Sequence, residues 1–252
     1  MKMNSYTLKE LTTKLIDGKH GGCESVKGSK YYFISVKDMR PYYIDLKDAK
    51  EIGKEDYLEC NKRTKLSIGD TIYANSGDTI GKSLYIDNED YIGNVTFQKS
   101  IAILSPNTSI VNQRYFYYLM KYNTGRLRNS STGSAQKNLL LDTMNKFKVL
   151  IHEKTEQQKI SEFISKYDNL LQIKYEEIYE LEKLLDTYYN FYCNNEYDPE
   201  DYEIFKLKDI CDIKTGKKDA NFATVNGKYN FYTCSSFCKF FFNIFFTIYI
   251  TL

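Results

Sequence analysis

An apolar seam over residues 155–193 constrains the fold of this chain more than any other feature of its sequence. Apolar or aromatic residues recur there at alternating spacings of four and three, with Lys174 as the one polar interruption. This is the heptad pattern of a helix that packs along one face. A single helix over the stretch would be roughly 58 Å long at 1.5 Å per residue. The seam consists of Ile160, Ile164, Tyr167, Leu171, Lys174, Ile178, Leu181, Leu185, Tyr188 and Tyr192.

The residues around the seam indicate where the helix begins and what it packs against. Residues 155–158, Thr-Glu-Gln-Gln, have the pattern of a capping box with Thr155 as N-cap. Acids outnumber bases eight to four between residues 155 and 193, so this helix should repel DNA. No other stretch of the sequence predicts a helix of matching length. We therefore favour a partner helix from another chain over packing along the helix's own domain.

Residues 1–152 have a different pattern, typical of a mixed, β-rich domain. Short apolar runs such as 31–34 and 100–104 are separated by Gly, Asp and Asn, which are strand lengths with turn residues between them. The phrase Gly-Asp-Thr-Ile occurs at 69–72 and again at 77–80, and we predict a hairpin whose two arms enter the same sheet. The predicted class is α+β, a β-rich domain followed by a long heptad-patterned α-helix.

The sequence Gly81-Lys82-Ser83 resembles the end of a phosphate-binding loop. That loop requires a glycine five residues before Gly81, where this chain has Ser76, and a helix directly afterwards. Residues 84–88 are instead a short β-prone run that ends in a turn signal, so no helix N-terminus is present to hold phosphate. We predict a glycine-bearing turn between two strands and no nucleotide.

Residues 112–148 carry a local basic bias, with seven basic residues against one acid. The first part, up to residue 128, has helical composition, and tyrosines, amides and a Thr-Gly-Ser loop at 132–134 accompany the charge. Basic side chains neutralise phosphates, while Asn, Gln and Arg can read base edges. We favour contact with DNA over the alternative of a solvated, lysine-rich face.

After a linker at 194–204 the chain starts again. Residues 8–11, Leu-Lys-Glu-Leu, are echoed by Leu-Lys-Asp-Ile at 207–210, and two further echoes follow in the same order. We predict a duplicated unit whose second copy begins over residues 205–236. The tail 237–252 is apolar without turn residues and shorter than the roughly 20 apolar residues of a membrane-spanning helix. We favour a truncated or frame-shifted end over a tail anchor.

Few residues of the sequence point to catalysis or metal binding. The six cysteines are scattered, and neither histidine, His20 or His152, has a Cys or Ser partner in a recognisable pattern. The Asn/Asp-Pro-Pro-aromatic motif of amino-methylating enzymes is missing from the sequence. Charged residues interrupt any apolar run at the N-terminus. We predict a cytoplasmic protein without catalytic residues, metal or cofactor.

Several of these phrases, taken in order, resemble the specificity subunit of type I restriction–modification enzymes. Residues 69–72 followed by 76–82 resemble the family's G-D-I-L…S-G-T-I-G-K phrase, and 133–137 resemble its G-S-x-Q loop. Residues 156–160 resemble its E-Q-x-K-I helix start, and 205–235 the opening of its second target-recognition domain. The family usually has prolines before E-Q, whereas this chain has His-Glu-Lys-Thr at 152–155.

The resemblance implies a non-catalytic reader of double-stranded DNA. Two target-recognition domains, separated by antiparallel helices, would bind the halves of a bipartite site. The helices would dock methyltransferase subunits, which support the restriction subunit. This chain would hold one complete unit, the domain 1–152 and the helix 155–193, and read a half-site. Two copies paired through the seam would restore a two-fold reader without any membrane partner. The alternative is an inactive remnant or a coiled-coil interaction module.

Two sets of residues are the predicted sites. For contacts with DNA we predict Arg126, Arg128, Gln136, Lys137 and Asn138, with Lys19, Asn75 and Lys82 as outer candidates. For helix pairing we predict the apolar seam residues Ile160, Ile164, Tyr167, Leu171, Ile178, Leu181, Leu185 and Tyr188.

Overall fold

Strands and helices alternate through the first 194 residues, and the predicted α+β class is confirmed. The computed structural model describes residues 3–132, 137–194, 205–211, 229–231 and 239–241. Its strands are β1 (Met3–Thr7), β2 (Thr12–Asp17), β3 (Tyr31–Ile34), β4 (Lys50–Ile52), β5 (Thr71–Ala74), β6 (Ser83–Tyr85), β7 (Val95–Phe97), β8 (Ile101–Pro106), β9 (Lys148–His152), β10 (Tyr229–Phe231) and β11 (Lys239–Phe241). Its α-helices are α1 (Leu8–Leu11), α2 (Lys54–Thr64), α3 (Gln113–Tyr122), α4 (Thr124–Asn129), α5 (Leu141–Lys146), α6 (Lys154–Asn194) and α7 (Leu207–Ile210).

A four-stranded antiparallel sheet with the order β2-β8-β5-β6 is the centre of the first compact unit, Met1–Asp186. Both faces are buried, which explains why its central strands are continuous apolar runs rather than alternating ones. Ile72 and Ile103 point into one hydrophobic cluster, while their neighbours Tyr73 and Leu104 point into another. The first of these clusters is shared with a three-stranded sheet of order β4-β3-β7, and the second with α3 and α4.

The predicted turn at residues 75–83 is confirmed, because β5 and β6 pair antiparallel on either side of it. The prediction that both Gly-Asp-Thr-Ile phrases form arms of the hairpin is wrong. The first phrase leads into β5, but Gly77–Thr79 forms a short 3-10 turn and β6 starts only at Ser83. Gly81, whose φ is +99°, then reverses the chain, and its N–H donates to the Ala74 carbonyl at 3.0 Å.

The basic stretch is helical where predicted, over α3 and α4. Asn112 is the N-cap of α3, since its side chain accepts from the N–H of Tyr115 at 2.9 Å. The helix buries its aromatic face against the central sheet, including Tyr115, Phe116 and Tyr117. The tyrosines of this stretch therefore serve mainly as core.

The long helix α6 begins at Lys154, so the prediction of Thr155 as N-cap is wrong. The N–H groups of Glu156 and Gln157 both donate to the Glu153 carbonyl, which makes Glu153 the N-cap, two residues before the predicted one. Gln157 is buried, and its side-chain amide bonds to backbone groups outside α6. Its Oε1 accepts from the Asn112 N–H at 2.8 Å, and its Nε2 donates to the carbonyls of His152 at 2.9 Å and Ile110 at 3.2 Å. The side chain thus joins the starts of α3 and α6.

The second compact unit is Thr187–Leu252, in which the structure describes α7 and the antiparallel pair β10–β11. Helix α7 has the same length as α1, its predicted echo. The N–H of Lys206 donates to the Asp209 carboxylate at 3.2 Å, as the N–H of Thr7 donates to that of Glu10 at 2.7 Å. The predicted linker 194–204, second domain 205–236 and tail 237–252 fall largely outside the described residues. None of the helices described has both the length and the apolarity needed to cross a membrane.

Candidate nucleic-acid interface

Four strand ends meet at one edge of the central sheet. The register pairs Asp17 of β2 with Ala102, Ala74 of β5 with Ile101, and Tyr73 with Ser83 of β6. Because all these pairs are antiparallel, the ends of β2 and β5 lie beside the starts of β8 and β6. We call this the strand-end edge, and its residues, in spatial order across the sheet, are Gly18–Lys19, Gln98–Ser100, Asn75 and Lys82.

The loop before α5 continues the strand-end edge beyond Asn75. The N–H of Leu139 donates to the Asn75 carbonyl at 2.8 Å, and the N–H of Gly77 donates to the Lys137 carbonyl at 2.7 Å. Asn138 forms an antiparallel bridge with Ser76. Two stretches far apart in the sequence therefore form one continuous surface, on which Lys137 and Asn138 are exposed.

Arg128 ties helix α4 to the same surface. Its Nη2 donates to the Ile80 carbonyl at 2.7 Å and to the Asp78 carbonyl at 3.2 Å, both in the loop between β5 and β6. In this arrangement one guanidinium nitrogen is engaged by backbone carbonyls, and it stabilises the loop that carries Asn75 and Lys82 at its two ends.

The structure thus brings together six of the eight residues predicted to contact DNA. Arg126 is not among them. Its Nη1 donates to Asn123 Oδ1 at 2.8 Å, its Nη2 to the Lys148 carbonyl at 3.3 Å, and its guanidinium lies 4.9 Å from the centre of the Phe147 ring. Gln136 lies outside the described residues. The six that converge are Lys19, Asn75, Lys82, Arg128, Lys137 and Asn138.

The three outer candidates differ in how available they are. Asn75 is buried, with its Oδ1 accepting from Ser76 Oγ at 3.2 Å, so it supports the edge from beneath. Lys82 is half-buried and its Nζ donates to the Val36 carbonyl at 3.3 Å. Burial and the neighbouring Arg40 guanidinium lower the pKa of Lys82.

Lys19 stands at the other end of the edge and is also engaged by protein groups. Its Nζ lies 3.4 Å from the Asp56 carboxylate and 3.5 Å from that of Glu59. Asp17, the acid beside it on β2, forms an ion pair with Arg63 at 2.5 Å, and its carboxylate lies within hydrogen-bond distance of His20 Nε2 at 3.0 Å. The charges at this corner are therefore mostly paired within the protein.

Lys99 and its neighbour Gln98 belong to the strand-end edge but were not predicted from the sequence, and Lys99 is the cation of the two. It is exposed, and within the part of the chain that the structure describes its ammonium forms neither a hydrogen bond nor an ion pair. The sequence does contain a signal, because Gln98-Lys99-Ser100 is a polar turn between two apolar strands. What it lacks is the strand order, which inserts β8 between β2 and β5.

Helix α6 has two faces with different partners. On one face Tyr118 Oη donates to Ser165 Oγ and to Asp168, both at 3.2 Å. Further along, the ring of Tyr175 lies 5.8 Å from that of Tyr42, and Tyr179 packs near Tyr43. The helix is therefore fixed to its own domain mainly through polar and aromatic contacts.

The other face of α6 carries the predicted seam. Ile160 and Ile164 are half-buried, and Ile160 packs against the first unit's core. From Tyr167 onward the apolar seam residues are exposed, with 59% of Leu171 and 70% of Leu185 accessible to solvent. These residues form a contiguous exposed apolar face, unlike the single scattered apolar residues that are normal on protein surfaces. The exposed members are Tyr167, Leu171, Ile178, Leu181, Leu185 and Tyr188.

Among the described residues we find neither a metal-binding cluster nor a reactive thiol at the strand-end edge or on the exposed face of α6. No group of three or more His, Cys, Asp or Glu side chains in this part of the chain could hold a metal ion. Cys23 and Cys60 are buried in one small cluster with Phe33, Ile52 and Tyr57, and burial raises the pKa of Cys23 to about 11. The exposed polar groups of the strand-end edge are suited to phosphates and base edges.

A family model and several solved structures resemble this chain. The family model described as "Type I restriction modification DNA specificity domain" matches residues 3–183. Among solved structures, the S subunit of a type I restriction-modification system from M. genitalium is similar, with a TM-score of 0.55 and 17% sequence identity over 96% of this chain and 62% of that chain. The HsdS subunit from Thermoanaerobacter tengcongensis gives a TM-score of 0.48 and 11% identity, over 90% of this chain and 60% of that one. This chain thus spans less than two thirds of the length of either protein.

Proposed function

The chain belongs to the type I restriction modification DNA specificity family, and on that premise we propose that it is a non-catalytic, sequence-specific DNA-binding subunit of a type I restriction–modification system. Its first domain reads one half of a bipartite site in double-stranded DNA. Helix α6 docks the methyltransferase subunits, and through them the restriction subunit. The protein acts in the cytoplasm, where its DNA is.

The observation that carries this proposal is the convergence at the strand-end edge. Residues chosen for their chemistry from three separated stretches of sequence come to one continuous surface, and Lys99 joins them. The exposed cations supply the sequence-independent attraction to phosphates. The amides supply the hydrogen-bonding groups that distinguish bases in the major groove. Sequence-specific binding needs both the cations and the amides, and both occur together on this surface.

A competition gel shift tests the proposal. The full chain, with the methyltransferase subunit of the same system, is incubated with a pool of randomised duplexes at several salt concentrations, and the bound fraction is sequenced. We expect an enriched half-site that survives excess competitor. A variant with Lys137→Ala and Lys99→Ala should bind more weakly, whereas Lys9→Ala, in α1 at the opposite end of β2, should not. Absence of any enriched sequence would support the inactive remnant instead.

The exposed face of α6 supports pairing with a second copy of this chain. The helix has 41 residues and the next longest in the described part of the chain has 11, so that part offers no partner of matching length. Two copies packed antiparallel along the seam would bury apolar surface on both and relate two reading domains by a two-fold axis. The half-sites would then be palindromic, following the symmetry of the protein.

Light scattering after gel filtration tests this pairing. The full chain should elute with twice its mass of 29.6 kDa, and Leu171→Glu with Leu181→Glu should reduce it to the monomer because two buried charges oppose association. Lys166→Glu, also on α6 but off the seam, is the matched control and should stay dimeric. A monomeric parent chain in the absence of methyltransferase contradicts the pairing while leaving DNA reading intact.

A further inference from the structure

The turn between β7 and β8 is held in the strand-end edge by backbone hydrogen bonds to three other segments. The Gln98 N–H donates to the Ile34 carbonyl at 2.9 Å, and the Lys99 N–H to the Lys19 carbonyl at 3.1 Å. The Ser100 carbonyl accepts from the Asn75 N–H at 3.0 Å. The turn is thereby hydrogen-bonded to the last residue of β3 and to the residues that follow β2 and β5, so its main chain is attached to both sheets.

This rigidity matters because the side chains of the turn have no use within the fold. Gln98 is half-exposed, and its amide makes no hydrogen bond to any residue that the structure describes. Lys99 beside it is likewise without a protein partner there. Elsewhere in the first domain, Gln113 bonds the Ile68 carbonyl and Gln157 is fully engaged. An amide whose donor and acceptor are both unused, on a main chain held by hydrogen bonds, is suited to a ligand.

The chemistry of the pair points to one kind of ligand. A glutamine amide presents one donor and one acceptor side by side, which matches N6 and N7 of adenine in the major groove. A lysine next to it can bind the adjoining phosphate and fix the register. We infer that Gln98 is a specificity-determining residue that reads one base, adenine, and that Lys99 is a phosphate contact that positions it.

The inference about Gln98 rests on the proposed function, but experiments can distinguish the two.

Reading a base requires a residue held at a fixed place, since a base contact misplaced by about 1 Å is lost. The backbone bonds described above fix the main chain from which the Gln98 side chain projects, whereas Gln136, the glutamine predicted from the sequence, lies outside the described residues. The Lys19 ammonium is paired with Asp56 and Glu59. Counted from Lys19 along the strand-end edge, Gln98 and Lys99 are therefore the first residues whose polar side chains have no partner among the described residues.

The test compares variants of the full chain, with methyltransferase subunit, on a pool of duplexes randomised at each position. Gln98→Ala should lose the adenine preference at one position, by roughly 5- to 150-fold, and keep the others. Gln98→Glu, which can only accept, should shift that position towards cytosine. Lys99→Ala should weaken binding on all sequences and reduce the slope of log K against log salt by about 1. Gln113→Ala and Lys9→Ala are the matched controls.

The outcomes separate the two claims. If the parent chain enriches no sequence, the proposed function fails and the inference fails with it. If the parent enriches a half-site but both Gln98 variants enrich the same one, the inference alone is overturned. A uniform loss of affinity with Gln98→Ala would also overturn it, by making Gln98 a phosphate contact. Far-UV circular dichroism of each variant establishes that it is folded, which we expect because the Gln98 amide forms no hydrogen bond with the residues that the structure describes.

Discussion

Gly18 decides whether the strand-end edge can form at all. A Cβ atom placed on Gly18 would lie 2.1 Å from the Phe97 carbonyl oxygen and 2.3 Å from that of Gln98. Non-bonded atoms prefer about 3.5–4.0 Å, and these neighbours are backbone, so no side-chain rotation relieves the overlap. Gly18→Ala must therefore push β2 and the turn at Gln98 apart by more than about 1 Å.

The size of the effect follows from what that movement breaks. Overpacking of this kind costs about 1–3 kcal/mol. The movement also strains the bonds from the Lys19 N–H to the Phe97 carbonyl at 2.8 Å and from the Gly18 N–H to the Ile101 carbonyl at 3.1 Å, each with a net value of about 1 kcal/mol. Alanine returns roughly 0.4–1 kcal/mol by restricting the unfolded chain. We expect Gly18→Ala to lower the free energy of unfolding by about 2–4 kcal/mol.

Urea unfolding followed by far-UV circular dichroism measures this loss, and tyrosine fluorescence gives a second probe because the chain has 24 tyrosines and no tryptophan. Gly22→Ala is the matched control, since no atom lies within 4 Å of its added Cβ. We expect it to change stability by less than about 1 kcal/mol. Equal midpoints for the two variants would refute the close approach of β2 and the Gln98 turn.

Three further changes test other contacts. Gln157→Ala should lower the free energy of unfolding by about 3 kcal/mol in the same urea assay, because it leaves three backbone groups at the starts of α3 and α6 without their partner. Arg128→Met should cost about 1–2 kcal/mol there, because the partly exposed guanidinium holds two loop carbonyls; a loss of DNA preference without loss of stability would show that these bonds contribute little. At pH 8 a thiol reagent should label Cys23 only after unfolding, since this thiol is buried and a pKa of about 11 leaves it almost entirely protonated; fast native labelling of Cys23, read by mass spectrometry, would contradict this.

Features that depend on neighbours along the chain were predictable from the sequence. The heptad spacing predicts a helix over 155–193, and α6 covers it. The family resemblance carried by 69–82, 133–137 and 156–160 is confirmed by the match over residues 3–183. The N-cap of α6 was not predictable, because Gln158 meets the capping-box pattern, yet its Oε1 accepts from Nδ2 of Asn112, a residue 46 positions away. A tertiary partner outcompeted the local one.

The strand-end edge shows the same division between local and distant effects. Turn chemistry predicts that polar residues stand where strands end, which is why Lys19, Asn75 and Lys82 could be chosen from sequence. Which strand ends share an edge depends on strand order, and β8 lies between β2 and β5 although it follows both in the chain. The gap between Lys19 and Asn75 is therefore filled by Gln98 and Lys99, from a stretch with no basic bias to mark it. A DNA-reading residue at that place can be recognised only after the sheet has been assembled, because its chemistry is ordinary and its position is what makes it specific.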